Sequence, residues 1–351
     1  MRFSERMIFM QNKIIRFLPD TAFISAGTAV GRHEHEGPIG DCFDIHDSTD
    51  KFGMKTWEKA ESEMQRLALN TALSKVGYSE RDIDALFAGD LLNQCVGSSY
   101  GLMDFDIPYF GLYGACSTAA EGIMLAAMMT SAGYFGRCAA VTSSHNSSAE
   151  RQYRTPIEYG GQRPPTAQWT VTGSGAFVIG RGEGVRIREA LPGIVVEKGI
   201  SDANNMGAAM APAALDTLLR YFKNSGKCAD NFDLILTGDL GWEGGAILCE
   251  LAHAEGYDIK KKYNDCGMII YDREGQDMHS GGSGCGCSAV VLGSYILPKL
   301  ARGELRDILV IGTGAMMSPA SIQQGGAIPA IGHLIRLTSP DALRDNGELY
   351  G

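Results

Sequence analysis

The sequence has no CxxC pair, no basic block and no uncharged stretch that reads as a membrane span. Each absence excludes a class. Its nine cysteines are odd in number and widely spaced, which argues against a disulfide framework and a structural zinc site and for a reducing compartment. Acidic residues outnumber basic ones, 41 to 31, so nucleic acid is not an expected partner and anionic lipid has no polybasic patch to meet. The first twenty residues carry Arg2, Glu5, Arg6, Lys13 and Arg16, leaving no apolar signal-peptide core. The uncharged stretches from Met278 to Pro298 and from Ile308 to Ile335 are broken by Gly, Ser, Gln or Pro, and neither reads as a span. There is no GxxxxGK[ST], HExxH or EF-hand spacing. These absences point to a cytoplasmic chain with no resident cofactor or metal. What is abundant is glycine: 45 residues, against a background of roughly 7%. They follow no three-residue period, which excludes collagen, and cluster between apolar runs where tight turns or close backbone approaches are needed.

The middle of the chain is duplicated. An amphipathic helix pattern from Trp57 to Val76 stops at Gly77 and leads to an apolar strand, Ile83 to Ala88, ending in Gly89-Asp90. A second helix, Ala208 to Phe222, is followed by Gly226 and a strand, Phe232 to Leu236, ending in Gly238-Asp239. Gly77 and Gly226, Asp84 and Asp233, and Asp90 and Asp239 are each 149 residues apart. Further on, Cys116 and Cys285, and Val141 and Val310, are each separated by 169 residues, within segments that read turn, small-residue helix, glycine, strand. Two ordered matches argue for one α/β unit used twice. The boundary falls at the polar GRGEG, giving halves 1–182 and 183–351.

Gly114-Ala115-Cys116-Ser117-Thr118 ends an apolar strand (Ile107 to Tyr113) and opens an apolar helix (Ala119 to Ser131). This elbow presents a thiol to a pocket, where helix N–H groups attract anions. The second elbow runs from Gly281 to Cys287 and includes Gly282 and Ser283, and the strand ending at Gly312-Thr313-Gly314-Ala315 faces the same crevice. His145 and Asn146 follow the strand from Cys138 to Thr142; they line the crevice or cap the next turn. Arg151, Arg154 and Arg163 lie among Tyr153, Tyr159 and Trp169, a composition suited equally to a carboxylate ligand and to a subunit interface.

A duplicated α/β half, a cysteine elbow and a glycine-rich elbow resemble the thiolase and ketoacyl-synthase superfamily over about Ala22 to Ile335. The resemblance implies a thiolase-like five-layered αβαβα fold built from two duplicated halves, and a homodimer. The strings ISAGTAVG, AGDLLNQ, GACST, SSHNSSAERQYR, EYGGQRP, TVTGSGA, MGAAMAPAA, DLILTGDL, GGSGCGCSAVV and SPASIQQ look like a stage V sporulation family within it. That likeness implies dipicolinic acid binding and, with membrane subunits of the same operon, dipicolinate uptake into the developing spore. It places the protein on the cytoplasmic side of the spore inner membrane.

Condensing enzymes of the superfamily pair the cysteine with a histidine at the strand end equivalent to Leu234 to Gly238; here Thr237-Gly238-Asp239 stands there. A carboxylate cannot replace imidazole as the base and tends to keep a thiol protonated. The expectation is therefore a binding site without catalysis, contacted by Cys116, His145, Asn146, Arg151, Asp239, Gly282, Ser283 and Ala315, with Asp239 or Asp90 near any calcium carried by the ligand. The alternative is an acyltransferase with Cys116 as nucleophile and His279 as base.

Overall fold

The computed structural model describes residues 13–153 and 163–342. Ten strands make the body of the sheet: β1 (Thr21–Val30), β2 (Ala85–Gly89), β3 (Tyr109–Gly111), β4 (Arg137–Ser144), β5 (Gly173–Arg181), β6 (Val185–Leu191), β7 (Leu234–Thr237), β8 (Tyr263–Asp265), β9 (Asp307–Ala315) and β10 (Ala330–Thr338). Their order is β3-β2-β4-β5-β1 and then β6-β10-β9-β7-β8, the two sets meeting where β1 pairs with β6. Each set has the order third-second-fourth-fifth-first, with β2 and β7 parallel to both neighbours and the remaining pairs antiparallel.

The repeat extends to single hydrogen bonds. Asp84 Oδ2 accepts from the backbone N–H groups of Gly136 and Arg137, and Asp233 Oδ2 accepts from those of Arg306 and Asp307. Gly77 and Gly226 both close their helices at φ +69°, the left-handed conformation that glycine adopts without strain.

The strands are apolar along their whole length because both faces are covered. On β4, Cys138 and Ala140 face one core while Ala139 and Val141 face another; on β9, Ile308 and Val310 face the first core while Leu309 and Ile311 face a third. The shared core lies between the two sets of strands, around α3 (Thr118–Ser131) and α7 (Cys285–Val291). The outer cores lie under α1 (Trp57–Ser74) on one side, and under α5 (Met206–Ser225) and α6 (Gly241–Ala254) on the other. Helix α3 touches β4 and β5 of the first set and β9 and β10 of the second. The helices and strands thus form the five layers of a thiolase-like α/β fold.

Two shorter helices, α2 (Val96–Leu102) and α4 (Asn146–Tyr153), follow β2 and β4 in the chain. The apolar run from Ile107 to Tyr113 forms a shorter strand than its composition suggests. Only Tyr109–Gly111 pairs, with β2 alone, and its residues are exposed because it is the edge of the sheet. Among the described residues no helix is long and apolar enough to cross a membrane.

Candidate functional site

Cys116 lies where β3 turns into α3. Ala115 before it has φ +50°, a conformation costly for a side chain larger than hydrogen. The turn is tied by Ser117 Oγ donating to the Gly114 carbonyl at 2.7 Å and Thr118 Oγ1 donating to the Ala115 carbonyl at 2.6 Å. The second half presses against this elbow at its glycines. A Cβ on Gly314 would lie 2.3 Å from the Gly114 carbonyl oxygen, and one on Gly312 would lie 2.5 Å from the Ala120 Cβ.

Asp239 stands against the thiol. Its carboxylate receives Ser283 Oγ at 2.8 Å, the Gly284 N–H at 3.1 Å and Thr313 Oγ1 at 2.7 Å, and the Cys116 thiol is a further donor to it. Ser283 Oγ is 3.8 Å from Cys116 Sγ. Burial raises the Asp239 carboxyl, while the bonds from Cys116, Thr313, Gly284 and Ser283 pull it back. Four donors converge on it, an arrangement that fits an anion. Burial first, and the Asp239 charge next, push the Cys116 thiol well above its ordinary range. With its lone pairs engaged, Asp239 has little capacity left to coordinate a cation.

The loop that carries Asp239 is held from below. Asp265 Oδ2 accepts from Thr237 Oγ1 at 2.6 Å and from the Leu240 N–H at 2.8 Å, and Oδ1 accepts from the Gly241 and Gly267 N–H groups at 3.0 and 2.9 Å. Gln168 Nε2 donates to the Asp239 carbonyl at 2.5 Å and to the Gly282 carbonyl at 3.0 Å, joining this loop to the second elbow.

A small cavity of about 50 Å³ opens over Cys116, lined by the elbow, Ser283 and Ala315 and by side chains that the sequence reading did not place at the elbow, chiefly Leu91, Tyr113, Tyr153, Met206 and Met317. Tyr153 donates to the Leu91 carbonyl at 2.7 Å, so the 2.9 Å bond between the two phenols is donated by Tyr113. These residues come from separate elements, and only Tyr153 carried a signal, its place among the arginines.

The expected contacts divide. Cys116, Ser283 and Ala315 line the cavity, with Asp239 and Gly282 directly behind. His145 is fully buried but off the cavity: Nε2 bonds the Asp50 carbonyl at 2.8 Å, Nδ1 accepts from the Ser147 N–H at 3.2 Å, and the ring lies 5.3 Å from that of Trp57. Burial lowers its pKa, so it stays neutral. The backbone N–H of Asn146 donates to Thr172 Oγ1 at 3.1 Å, and this residue does not line the cavity. Arg151 reaches outward to Glu58. Arg163 binds the Ala167 and Asp277 carbonyls and lies over Trp169, while Arg154 and Tyr159 fall outside the described residues. His279 is exposed and pairs with Asp277 at 3.0 Å, whereas Cys116 is buried against Asp239. Asp90 is sealed behind the elbow, taking the Leu92 and Ser98 N–H groups and Ser98 Oγ. Among the described residues, no group of three or more His, Cys, Asp and Glu is placed to hold a metal.

With the site in view, residues 11–338 match the Stage V sporulation protein AD (SpoVAD) family. The chain belongs to the SpoVAD family. Its relative of that name from Bacillus subtilis (strain 168) is 46% identical over 310 residues, covering 88% of this chain and 91% of the relative. The SpoVAD chain also resembles solved condensing enzymes. The 3-oxoacyl-[acyl-carrier-protein] synthase III of Aquifex aeolicus VF5 is 11% identical with a TM-score of 0.54, over 91% of this chain and 99% of that one. The corresponding synthase of Xanthomonas oryzae pv. oryzae is 15% identical with a TM-score of 0.59, over 92% and 100%. OleA of Xanthomonas campestris is 15% identical with a TM-score of 0.58, over 92% and 97%. At these identities the likeness shows a shared fold. The SpoVAD family makes this a protein of stage V of sporulation.

Proposed function

We propose that this SpoVAD family member binds dipicolinate in the Cys116 cavity and does no acyl chemistry there. The observation that carries the reading is the Cys116–Asp239 contact: a nucleophile needs a base, and here burial together with a carboxylate keeps the thiol protonated. What is left is a recess beside the N-terminal end of the 14-residue helix α3, a position that favours a carboxylate ligand. Leu91, Met206 and Met317 offer apolar surface to a pyridine ring, and unbranched methionines can shift to widen a cavity of about 50 Å³. Because four donors already occupy Asp239, calcium enters as the ligand's own chelate and not as an ion held by that side chain. The protein acts as a homodimer at the cytoplasmic side of the forespore membrane, delivering dipicolinate to membrane subunits of the same operon.

Equilibrium dialysis of the full chain against dipicolinate, with and without calcium, tests this. Saturable binding is expected, weakened at least tenfold by Ala315→Leu, which fills the cavity floor. No binding at millimolar ligand under either condition overturns the proposal, and so does an acyl adduct on Cys116 after incubation with acyl-CoA, which would favour the acyltransferase.

A further inference from the structure

A second concavity lies on the far side of the Asp239 loop. Its floor is Trp242, Gly245, Ala246 and Cys249 of α6 with Tyr263 and Met268, its rim is Glu250, His253, Asp258 and Lys260, and its open volume is about 530 Å³. That is the size of a small-molecule site. A neighbouring lobe of about 570 Å³ shares Trp242, Tyr263 and Met268 with it and extends the apolar floor past Ile39 and Tyr295.

Charges of both signs meet at one end. Burial raises the Cys249 thiol; Lys260 pulls against that rise, while Asp258 and Glu250 add to it, so all three charges act at one point of the floor. Neither the Lys260 ammonium nor the Glu250 carboxylate forms an ion pair within the described residues, and Asp258 accepts only the Lys260 backbone N–H, at 3.2 Å. An apolar bed ending in opposite, solvent-exposed charges suits a molecule with an apolar body and a head carrying both an ammonium and an anion.

The floor is also tied to the first site. Tyr263 OH is 2.6 Å from Thr237 Oγ1, which donates to Asp265, the carboxylate that fixes the Leu240 and Gly241 N–H groups next to Asp239. Trp242 is three residues from Asp239 and is anchored by its own N–H to the Ser280 carbonyl at 3.0 Å. Gly241 between them has φ +64°, and a Cβ there would lie 2.0 Å from the Ser280 oxygen. A ligand that displaces Trp242 or Tyr263 therefore pulls on the segment that aims Asp239 at Cys116.

We infer that this groove is a second ligand site, taking a small zwitterion with an apolar body, and that its occupancy is transmitted to the Cys116 cavity through Tyr263, Thr237 and Asp265. The coupling is read at the Cys116 thiol, so it stands or falls separately from dipicolinate binding.

Cys249 and Cys116 are built-in reporters. The full-length protein is treated with iodoacetamide and each cysteine followed by peptide mass spectrometry, with L-phenylalanine as the zwitterionic probe and phenethylamine and 3-phenylpropionate as its two halves. L-Phenylalanine at millimolar concentration is expected to slow Cys249 alkylation at least threefold, the half-molecules less, and Lys260→Ala or Glu250→Gln to weaken the protection. The same probe is expected to change the Cys116 rate at least threefold. Thr237→Val, outside the groove, is expected to abolish that change while Cys249 stays protected, and Thr237→Ser to restore it. Absence of protection by all three probes overturns the site. Equal protection by the half-molecules overturns the zwitterion. Protection of Cys249 with an unchanged Cys116 rate, or coupling that survives Thr237→Val in a variant with wild-type melting, overturns the relay.

Discussion

A thiol on an elbow invites a catalytic reading, and the carboxylate beside it weighs against one. Burial first, and the Asp239 charge next, keep the Cys116 thiol protonated through neutral pH, and the carboxylate stands where a base would. Asp239→Asn removes the charge and keeps the shape. With the charge gone the thiol pKa falls, and each unit it falls raises the thiolate fraction tenfold at a pH below it. Iodoacetamide is therefore expected to modify Cys116 about tenfold faster at pH 8 in the variant, while the wild-type rate keeps climbing beyond pH 9. Equal rates in the two proteins would show that Asp239 does not control the thiol. Both partners were legible in the sequence, Cys116 from its elbow and Asp239 from its repeat partner Asp90. His145 was legible only as a choice, because a crevice ligand and a buried cap use the same residue type; its bonds to Asp50 and Ser147 select the cap. Tyr113 and Met317 left no local signal, since what unites them is a cavity assembled from distant parts of the chain.

At the scale of elements, the two halves meet through atoms that are missing. Gly314 lets β9 lie against the Gly114 carbonyl, and alanine there would bring a carbon to 2.3 Å from that oxygen. Gly314→Ala is expected to destabilise the fold by about 1–3 kcal/mol, read as a lower melting temperature; an unchanged melt would mean that the elbow yields freely. The abundance of glycine was plain in the sequence, but which glycines hold the halves together depends on a contact across two hundred residues. A second element-level feature ties α1 to the end of β2. Glu61 and Asp90 are buried on either side of Gly97, whose added Cβ would lie 3.3 and 3.2 Å from their Cγ atoms. Burial, and then the Asp90 charge, push Glu61 from 4.5 to about 8. The folded protein thus holds a proton that the unfolded chain releases above pH 4.5, and the stability this proton confers is lost progressively from pH 4.5 and is gone once pH passes 8. Thermal melts should fall between pH 5 and 8 in the wild type, level off above that, and fall less in Glu61→Gln. A steeper fall in the variant would contradict the assignment.

For the whole molecule, the two ends of the sheet are unlike. At the β8 end the Asp265 N–H is covered by Asn264 Oδ1, and Tyr263 is turned into the groove. At the β3 end an open edge carries Tyr109 and Phe110, with Tyr113, Tyr100 and Met103 also exposed nearby in the chain, the last two by about two thirds. An apolar open edge on a chain of net charge −10 is a place for self-association unless something covers it. A second copy related by a two-fold axis would cover it with its own equivalent and continue the sheet across the junction. The proposed homodimer is therefore expected to form through β3, and light scattering behind a sizing column should report twice the chain mass at micromolar concentration. Phe110→Asp is expected to give monomers, but Phe110 also stacks on Phe87 with ring centres 5.1 Å apart, so its loss could act through the fold. The double substitution Tyr100→Asp and Met103→Asp, at side chains that are mostly solvent-exposed, separates the two causes. Monomers from the double variant with an unchanged melting curve place the interface at this edge; a dimer that survives both variants places it elsewhere.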